Sequence, residues 1–468
     1  MIRRLLMLAW LLSVPYFLRS QPAAEMERVV RAALQVEGMQ HATLCVSVYD
    51  AASGQRLYGH DDQRAVVPAS LQKLLTTGTC FARLGDSFRF ATRLLMHGEV
   101  DRDGVLHGDL YIVGGGDPLL GSYRYRQTTS DTLFALWTAA LRSRGVQRID
   151  GRIHYVSSVF SGPQQHDSWQ HGDVGNYYGA GATGLNFHEN MYFVHFNAGT
   201  RQGDPATVAR TNPKNITLHA LNEVTTGPAG SGDQVVVYGL PQFTERVYSG
   251  TVPLGASDFA VRAALPNPAR SCADLLATYL RSHGISVSLG AQEAQAPPDS
   301  VRIVSEYLSP SYKTIAQYTN HTSNNVYAEA IFKYLGYKSS GSGSFASGAK
   351  AVEDYLKEKG LPLDGVSVVD GSGLSRLNSV TADFLGRYLS MLRNEPFYEA
   401  FFSTLRTADN PAVHYKSGTM QGVRSQAGYI RQGGRTLAYA VVLNGHTASA
   451  SVAGAEIDRI VKAIIKNF

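Results

Sequence analysis

The sequence changes character twice along its length, and this pattern limits the chain to a mixed fold of helices and hairpins. Residues 87–262 contain short apolar stretches of strand type between glycine-rich turns, with one helical segment among them. Residues 21–86 and 263–468 are mainly amphipathic helical patterns, and each of these two parts also contains a hairpin. We therefore predict an α+β protein whose outer parts form one domain, with 87–262 inserted as one or two subdomains.

The first 20 residues have the layout of a secretory signal peptide. Arg3 and Arg4 precede a short, mostly apolar run, and polar residues follow from Arg19 onwards. The apolar run is shorter than the roughly 20 residues that a membrane-spanning helix needs. We expect the signal peptide, residues 1–20, to be removed from an exported protein; an uncleaved membrane anchor is the alternative.

Composition excludes several classes of protein. Hydrophobic residues are 44% of the 468 and charged residues 17%, so the chain has enough apolar material for large cores. The net charge of +5 includes three leader arginines, and the remaining +2 is too small for a nucleic-acid-binding protein. The three cysteines, Cys45, Cys80 and Cys272, are far apart, which excludes a disulfide-dense scaffold and allows at most one disulfide.

Three short motifs carry the candidate chemistry of the chain. Ser70 and Lys73 form an S-x-x-K motif, Ser323 and Asn325 form S-x-N, and residues 416–419 read Lys-Ser-Gly-Thr. Each motif alone is better explained as ordinary structure, such as a helix start with a solvated lysine or the end of a strand. All three in this order indicate one nucleophilic acyl-transfer centre.

Ser70 and Lys73 have the spacing that a serine nucleophile and its base need. Ser70 follows Pro68 at the start of a predicted helix, where free backbone N–H groups favour a developing anion. Lys73 projects from the same helix face and can reach the serine hydroxyl. Since an ordinary lysine has a pKa near 10.4, Lys73 can act as the base only if burial and a second cation, Lys416, depress its pKa.

The third motif predicts a place for an extended substrate. Residues 414–420 read as an edge strand, and Gly418 allows a peptide backbone to approach that strand closely. The backbone N–H groups of Ser70 and Thr419 are the candidate oxyanion hole. Lys416 and Thr419 can hold a substrate carboxylate, which favours a peptide with a free C-terminus.

Together the motifs resemble the signature of penicillin-recognising serine acyl-transferases. The 253-residue interval from Ser70 to Ser323 is far longer than a β-lactamase core needs. The chain is therefore similar to the class C low-molecular-mass penicillin-binding proteins, the D-alanyl-D-alanine carboxypeptidase/endopeptidases of the penicillin-binding protein 4 type. Further segments that match this family are Gly114–Pro118, Tyr178–Ala180 and Asp370–Arg376. Ser417 replaces the threonine that is commoner in the family.

The resemblance implies a β-lactamase/transpeptidase-like domain, an antiparallel sheet flanked by helices, with a large strand-rich insertion. Ser70 is then the acylated nucleophile and Lys73 its base. Ser323 and Asn325 relay a proton and position the reacting groups, and Lys416 anchors the substrate carboxylate. The other substrate-binding residues that the resemblance implies are Ser417, Gly418, Thr419, Ser372 and Arg376.

The activity that the resemblance implies is cleavage of the terminal D-Ala-D-Ala bond of peptidoglycan stem peptides in the periplasm, with endopeptidase activity as a second possibility. Arg376 would contact an acidic side chain of the stem peptide, and β-lactams would acylate Ser70. No cofactor, metal ion or nucleic-acid partner is expected.

Two other functions are compatible with these motifs. A β-lactamase needs a group that activates the deacylating water, and no E-x-x-L-N segment lies between Ser323 and Lys416. A non-catalytic cell-wall-binding protein on the same fold predicts a damaged motif, whereas every reactive position is intact. Both observations favour the peptidase.

Overall fold

The computed structural model describes residues 22–214 and 216–468, so the predicted signal peptide lies outside the described residues. None of the helices in the described ranges is long and apolar enough to cross a membrane. The helices are α1 (22–33), α2 (Gln72–Leu84), α3 (Ser130–Arg142), α4 (His171–Val174), α5 (Pro268–Ser282), α6 (Tyr312–Thr322), α7 (Asn325–Ser340), α8 (Phe345–Glu358), α9 (Ala382–Arg393), α10 (Tyr398–Phe402) and α11 (Ala450–Asn467).

The strands fall mainly in the region that the sequence predicts to be strand-rich and at the two ends of the chain. They are β1 (Thr43–Asp50), β2 (Arg56–His60), β3 (Ala91–His97), β4 (Glu99–Val100), β5 (Val105–His107), β6 (Leu110–Val113), β7 (Arg148–Ile149), β8 (Ile153–Val156), β9 (Met191–Asn197), β10 (Thr207–Asn212), β11 (His219–Gly227), β12 (Val236–Tyr238), β13 (Glu245–Pro253), β14 (Phe259–Ala264), β15 (Ser286–Val287), β16 (Gln292–Glu293), β17 (Val301–Leu308), β18 (Arg406–Thr407), β19 (Val413–Met420), β20 (Val423–Gln432) and β21 (Arg435–Asn444).

The chain divides into two compact units. The first unit comprises the described residues up to Gly78 together with Glu353–Val369 and Arg376–Phe468. The second unit comprises Thr79–Val352 and Asp370–Ser375. Helices α5, α6 and α7 therefore share a compact unit with the strand-rich region. The insertion at 87–262 stays a prediction, because compactness alone does not define where an insertion begins.

The first unit is built on a six-stranded antiparallel sheet with the order β18-β19-β20-β21-β1-β2. Alternate residues of β1 face opposite sides of this sheet, as a pleated strand requires. Val46 and Val48 pack in the core that contains the apolar faces of α1 and α11. Ser47 and Tyr49 point the other way, towards α9, where the Ser47 hydroxyl donates to the Ala382 carbonyl oxygen. The predicted α+β class is confirmed.

Within its described residues, the second unit contains four smaller sheets. Two of them have the strand orders β16-β8-β6-β3-β17 and β15-β7-β5-β4, and the other two have three strands each. A large core of this unit lies where α3 and α5 pack beside β6 and β8, and it includes the fully buried Trp137 and Leu276. The helix predicted among the strands is α3, and the structure adds the short helix α4 to the same region. The N-cap of α3 is Thr129, whose side chain accepts a hydrogen bond from the Thr132 N–H.

All three cysteines are buried, and the structure leaves each of them as a free thiol. The disulfide that the sequence leaves open is therefore absent. Burial raises the pKa of Cys45 to about 12 and also raises the pKa values of Cys80 and Cys272. These thiols stay protonated at neutral pH and act as small apolar groups in the cores.

We expect a buried carboxylic acid in the second unit to lower the stability of the folded state. Asp117 is 2% exposed, and its Oδ1 accepts a hydrogen bond from the Leu119 N–H at 2.8 Å. Its Oδ2 is buried without a hydrogen-bond partner in the described chain. Burial raises the pKa of Asp117 from 3.8 to about 7. Because the unfolded chain loses this proton more readily, the folded state loses stability as pH rises from about 4 to about 7.

We expect Asp117→Asn to stabilise the protein, and to do so more strongly as pH rises. The amide keeps an acceptor for the Leu119 N–H but carries no charge to desolvate. An elevated pKa of this size corresponds to as much as about 4 kcal/mol at pH 8. Thermal unfolding at pH 5 and pH 8 measures the effect, with Asp103→Asn at an exposed position as the control. An equal gain at both pH values would contradict the account.

Candidate active site

Ser70 lies in a 3-10 turn, Ala69–Leu71, that leads directly into α2. The regular helix thus begins two residues after Ser70, close to the predicted start. Ala69 has a φ of 49°, in the left-handed region that non-glycine residues rarely adopt. Such backbone strain persists only where the surroundings fix it, and it is concentrated at functional sites. The turn therefore presents Ser70 in a conformation that α2 alone would not produce.

Side chains from distant strands hold the segment that precedes Ser70. The Asn444 side chain accepts from the Val67 N–H at 2.9 Å and donates to the Val67 carbonyl oxygen at 3.1 Å. The Ser425 hydroxyl donates to the Pro68 carbonyl oxygen at 2.9 Å. These hydrogen bonds come from β20 and β21, so the central sheet of the first unit positions the turn that carries Ser70.

Lys73 and Ser70 are directly hydrogen-bonded. The Lys73 Nζ donates to the Ser70 Oγ at 2.9 Å, as the S-x-x-K spacing predicts. Lys73 is completely buried, whereas Ser70 keeps part of its surface exposed. A partly exposed hydroxyl in contact with a buried amine is the arrangement of a nucleophile with its base.

Lys416 is a second buried lysine in the same unit. It is 1% exposed, and its Nζ donates to the Ser417 carbonyl oxygen at 2.6 Å. Burial, followed by the positive charges of Lys73 and Arg406, holds the pKa of Lys416 well below its ordinary value. The charge of Lys73 therefore favours the neutral form of Lys416. The role of Lys73 as a base with a lowered pKa stays a prediction.

The Lys-Ser-Gly-Thr segment lies in β19, which begins at Val413 and so includes the predicted strand. The short strand β18 pairs only with the start of β19, at Tyr415 and His414. Beyond that point β20 pairs with β19 on one side, and no other described strand pairs with residues 416–420. The expected edge strand is therefore found in the second half of β19.

Gly418 brings β19 against the nucleophile turn. A Cβ atom at this position would lie 2.8 Å from the Pro68 carbonyl oxygen and 3.0 Å from the Ser70 nitrogen. Any larger residue would push the strand away from Ser70, so glycine is needed for this close approach. Thr419 is exposed, and its Oγ1 accepts a hydrogen bond from Arg424. The first unit thus contains Ser70 and both segments that the predicted oxyanion hole requires.

The S-x-N motif lies in the second unit, at the turn between α6 and α7. Ser323 has a φ of 57° and a ψ of 35°, so it is a second non-glycine residue in the left-handed region. Asn324 caps α7 and accepts a hydrogen bond from the Tyr327 N–H at 3.2 Å. The Asn325 Nδ2 donates to the Tyr178 carbonyl oxygen at 2.8 Å. The structure brings Ser70, Lys73 and Lys416 together and places Ser323 and Asn325 in the other unit.

The loop at 370–376 is a turn built around a carboxylate. Asp370 accepts from the N–H groups of Gly373 and Ser375, each at 2.7 Å, and from Trp169 Nε1 at 2.8 Å. Ser372 has no exposed surface, and its Oγ accepts from the Leu374 N–H at 3.2 Å. Ser372 thus helps to shape the turn, and its contact with substrate stays a prediction.

Arg376 belongs to the first unit, whereas the turn that precedes it, Asp370–Ser375, belongs to the second unit. Its Nη2 donates to the Gln421 carbonyl oxygen at 2.8 Å, and its Nε is buried without a hydrogen-bond partner in the described chain. Gln421 directly follows the last residue of β19, so the guanidinium is held at the end of the strand that contains Lys416. Contact of Arg376 with a substrate side chain stays a prediction.

The profile of the D-Ala-D-Ala carboxypeptidase 3 (S13) family matches residues 26–464. The chain belongs to this family. The family that the three motifs and their spacing indicated is thereby confirmed, because the match extends from α1 to α11 and includes all three motifs. This match includes the strand-rich region and most of the two outer parts, so the family covers all three.

Relatives of known function and structure resemble the chain over most of its length. A D-alanyl-D-alanine carboxypeptidase of Actinomadura sp. (strain R39) is 27% identical over 458 residues, which are 92% of this chain and 82% of the relative. The D-alanyl-D-alanine carboxypeptidase DacB of Haemophilus influenzae is 23% identical, with 82% of this chain and 81% of the relative covered.

The fold of this S13 protein also matches a solved structure. The crystal structure of penicillin binding protein 4 (dacB) from Haemophilus influenzae superimposes with a TM-score of 0.79 at 21% identity, covering 93% of this chain and 98% of that one. A second structure of that protein, in complex with a β-lactam, has a TM-score of 0.75 at 20% identity. At this level of identity the likeness establishes the fold.

Sequence reasoning missed two buried polar groups on α7 that continue the helix face of the half-buried Asn325. Asn325, Glu329 and Lys333 follow each other at intervals of four residues and share one helix face. Glu329 is fully buried and accepts from the N–H groups of Gly371 and Ser372 at 2.9 and 2.8 Å. The signal was present in the sequence, as polar residues at helical spacing within an otherwise apolar segment.

The two buried residues of this row, Glu329 and Lys333, have shifted pKa values. Burial and the neighbouring Asp370 raise the pKa of Glu329 to about 8. Burial lowers the pKa of Lys333 to about 8, and its Nζ donates to the carbonyl oxygens of Pro163 and Ala182. Helix α7 thus holds backbone from three separate segments of the second unit through one polar face.

Proposed function

We propose that the protein is a serine-type D-Ala-D-Ala carboxypeptidase that works through an acyl-enzyme on Ser70. The observation that carries this proposal is the 2.9 Å hydrogen bond between Lys73 Nζ and Ser70 Oγ, formed by a completely buried lysine beside a second buried lysine. Membership of the S13 family supports the same activity. The substrates would be peptidoglycan stem peptides, met after export to the periplasm.

The first half-reaction transfers an acyl group from the peptide to the enzyme. Neutral Lys73 accepts the Ser70 proton, and the Oγ attacks the carbonyl carbon of the penultimate D-alanine. The N–H groups of Ser70 and Thr419 stabilise the resulting oxyanion. When the C–N bond breaks, Ser323 donates a proton to the leaving amine of the terminal D-alanine and regains one from protonated Lys73, so that Lys73 is neutral again for the second half-reaction. Asn325 holds the reacting groups in place, as the family resemblance implies.

The second half-reaction restores the enzyme. Water attacks the ester on Ser70, Lys73 accepts a proton from that water, and the shortened peptide leaves as a carboxylic acid while Ser70 regains its hydrogen. Lys416 and Thr419 bind the free carboxylate of the peptide substrate. An endopeptidase reaction would use the same centre with a cross-bridge amine as the leaving group.

Release of D-alanine from a defined peptide tests this proposal. We expect a peptide that ends in D-Ala-D-Ala to be cleaved, and the same peptide with an amidated C-terminus to be cleaved far more slowly. A peptide ending in D-Ala-L-Ala controls for stereochemistry. Absence of D-alanine release by the folded protein would overturn the proposal. Equal cleavage of the free-acid and amidated peptides would show that Lys416 does not bind the substrate carboxylate.

A further inference from the structure

Glu189 is a buried carboxylate with an unusually complete set of partners. It is 1% exposed and accepts from the Ser122 hydroxyl at 2.6 Å and the Tyr327 hydroxyl at 2.9 Å. The Arg124 guanidinium donates to both of its oxygens, at 2.8 and 3.1 Å. The Asn324 Nδ2 donates to its Oε2 at 3.4 Å. All five residues lie in the second unit, and the predicted roles of the sequence motifs do not include Glu189.

The backbone around Glu189 is strained. His188, Glu189 and Asn190 have φ values of 53°, 56° and 52°, so three consecutive non-glycine residues are in the left-handed region. Such conformations persist only where neighbouring contacts determine them. The Asn190 side chain supplies such contacts, since it accepts from the Phe187 N–H at 3.0 Å and donates to the Gly181 carbonyl oxygen at 2.9 Å. The strained turn is therefore fixed with the Glu189 carboxylate inside the unit.

Two partners of Glu189 lie in or directly after the S-x-N motif. Asn324 lies between Ser323 and Asn325, and its side chain both caps α7 and donates to Glu189. Tyr327 is in the first turn of α7 and donates through its hydroxyl to the same carboxylate. Because Ser323 itself adopts a left-handed conformation, the turn needs external contacts to keep its shape. Glu189 provides two of them.

Arg124 extends the same network to the helix on the other side of the turn. Its guanidinium lies 4.6 Å from the ring centroid of Tyr318 on α6 and 4.5 Å from that of Tyr123. Burial alone would lower the pKa of Arg124, but the Glu189 carboxylate raises it above its ordinary value. The Arg124–Glu189 ion pair therefore contacts both α6 and α7, the two helices that the turn of Ser323 joins.

We propose that Glu189 is a positioning residue that fixes the turn of Ser323 and Asn325 for proton delivery to the leaving amine. It acts through Asn324, Tyr327 and Arg124 and has no contact with substrate in this role. The inference rests on the proposed function, because it assigns Glu189 to the step that we assign to Ser323. Loss of the Glu189 carboxylate would then slow the step in which the amine leaves more than the other steps of the acyl-transfer reaction.

The test compares an amide substrate with a thioester that has the same acyl group. A thiolate leaves without prior protonation, so only the amide depends on the proton donor. We expect Glu189→Gln to lower kcat for the amide about tenfold and kcat for the thioester less than twofold. Ser323→Ala should shift the ratio of the two rates in the same direction. Asp117→Asn, a buried carboxylate without contact to this turn, should leave the ratio unchanged.

A purely structural role for Glu189 predicts a different result. Partial unfolding lowers the rates for amide and thioester by the same factor, and that outcome would overturn the inference, as would an unchanged amide rate. If Glu189→Gln does not fold, Tyr327→Phe removes one hydrogen bond to the carboxylate, and an unchanged rate ratio in this variant also overturns it. A wild-type protein that cleaves neither substrate would instead refute the proposed function itself.

Discussion

Lys73→Met is expected to lower the rate of Ser70 acylation by about 10²- to 10⁴-fold, the range that a general base contributes. The lysine Nζ is hydrogen-bonded to the Ser70 Oγ, so its removal leaves the hydroxyl without a proton acceptor. Methionine has a similar length and suits the completely buried site, so the fold should be preserved. The rate of labelling by a fluorescent penicillin measures the effect, and the melting temperature shows whether the fold is retained.

The matched control is Lys462→Met, an exposed lysine on α11 in the same unit. This variant should be acylated at the wild-type rate. A Lys73→Met protein that folds and is acylated as fast as the wild type would show that another group accepts the Ser70 proton. The role of Lys73 in the proposed mechanism would then be wrong.

Lys416→Met should raise the stability of the protein while it impairs substrate binding. Folding buries an ammonium whose pKa lies well below its ordinary value of 10.5, so the folded state binds protons less readily than the unfolded chain. Stability is therefore lost as pH falls below about 10.5 towards neutrality. Methionine removes this cost, and we expect a gain of roughly 1 to 2 kcal/mol at pH 7 that shrinks towards pH 10.

The same substitution removes the proposed anchor for the substrate carboxylate. A hydrogen bond to a charged group contributes about 1.5–3 kcal/mol, so KM for the free-acid peptide should rise roughly 10- to 100-fold. The peptide with an amidated C-terminus should be affected much less. A destabilised variant, or equal losses for both peptides, would contradict the assignment of Lys416 as a buried cation that binds the carboxylate.

Local features of the site could be predicted from the sequence because they depend on short spacings. The contact of Ser70 with Lys73 follows from their spacing of three residues, about one helical turn. The terminal hairpin β20–β21 follows from the alternation of apolar and polar residues on both sides of Gly433 and Gly434. The family, too, follows from intact motifs in a given order. These predictions succeed because each needs only the chain's local geometry or the identity of its reactive residues.

Long-range contacts of the site could not be predicted in this way. Ser425 and Pro68 are 357 residues apart in the chain, yet their hydrogen bond helps to position the nucleophile turn. The left-handed residues Ala69, Ser323 and Glu189 are not glycines, so their residue types carry no signal of positive φ. Both features arise from tertiary packing, which overrides the preferences of the individual residues.

Labelling with a fluorescent penicillin, followed by mass spectrometry of the labelled peptide, tests the central claim most directly. We predict one stable adduct on Ser70 in the wild-type protein and no adduct in a folded Ser70→Ala variant. Rapid turnover of the drug would instead assign the protein as a β-lactamase. Equal labelling of Ser70→Ala, or a folded wild-type protein without any adduct, would contradict the acyl-enzyme mechanism.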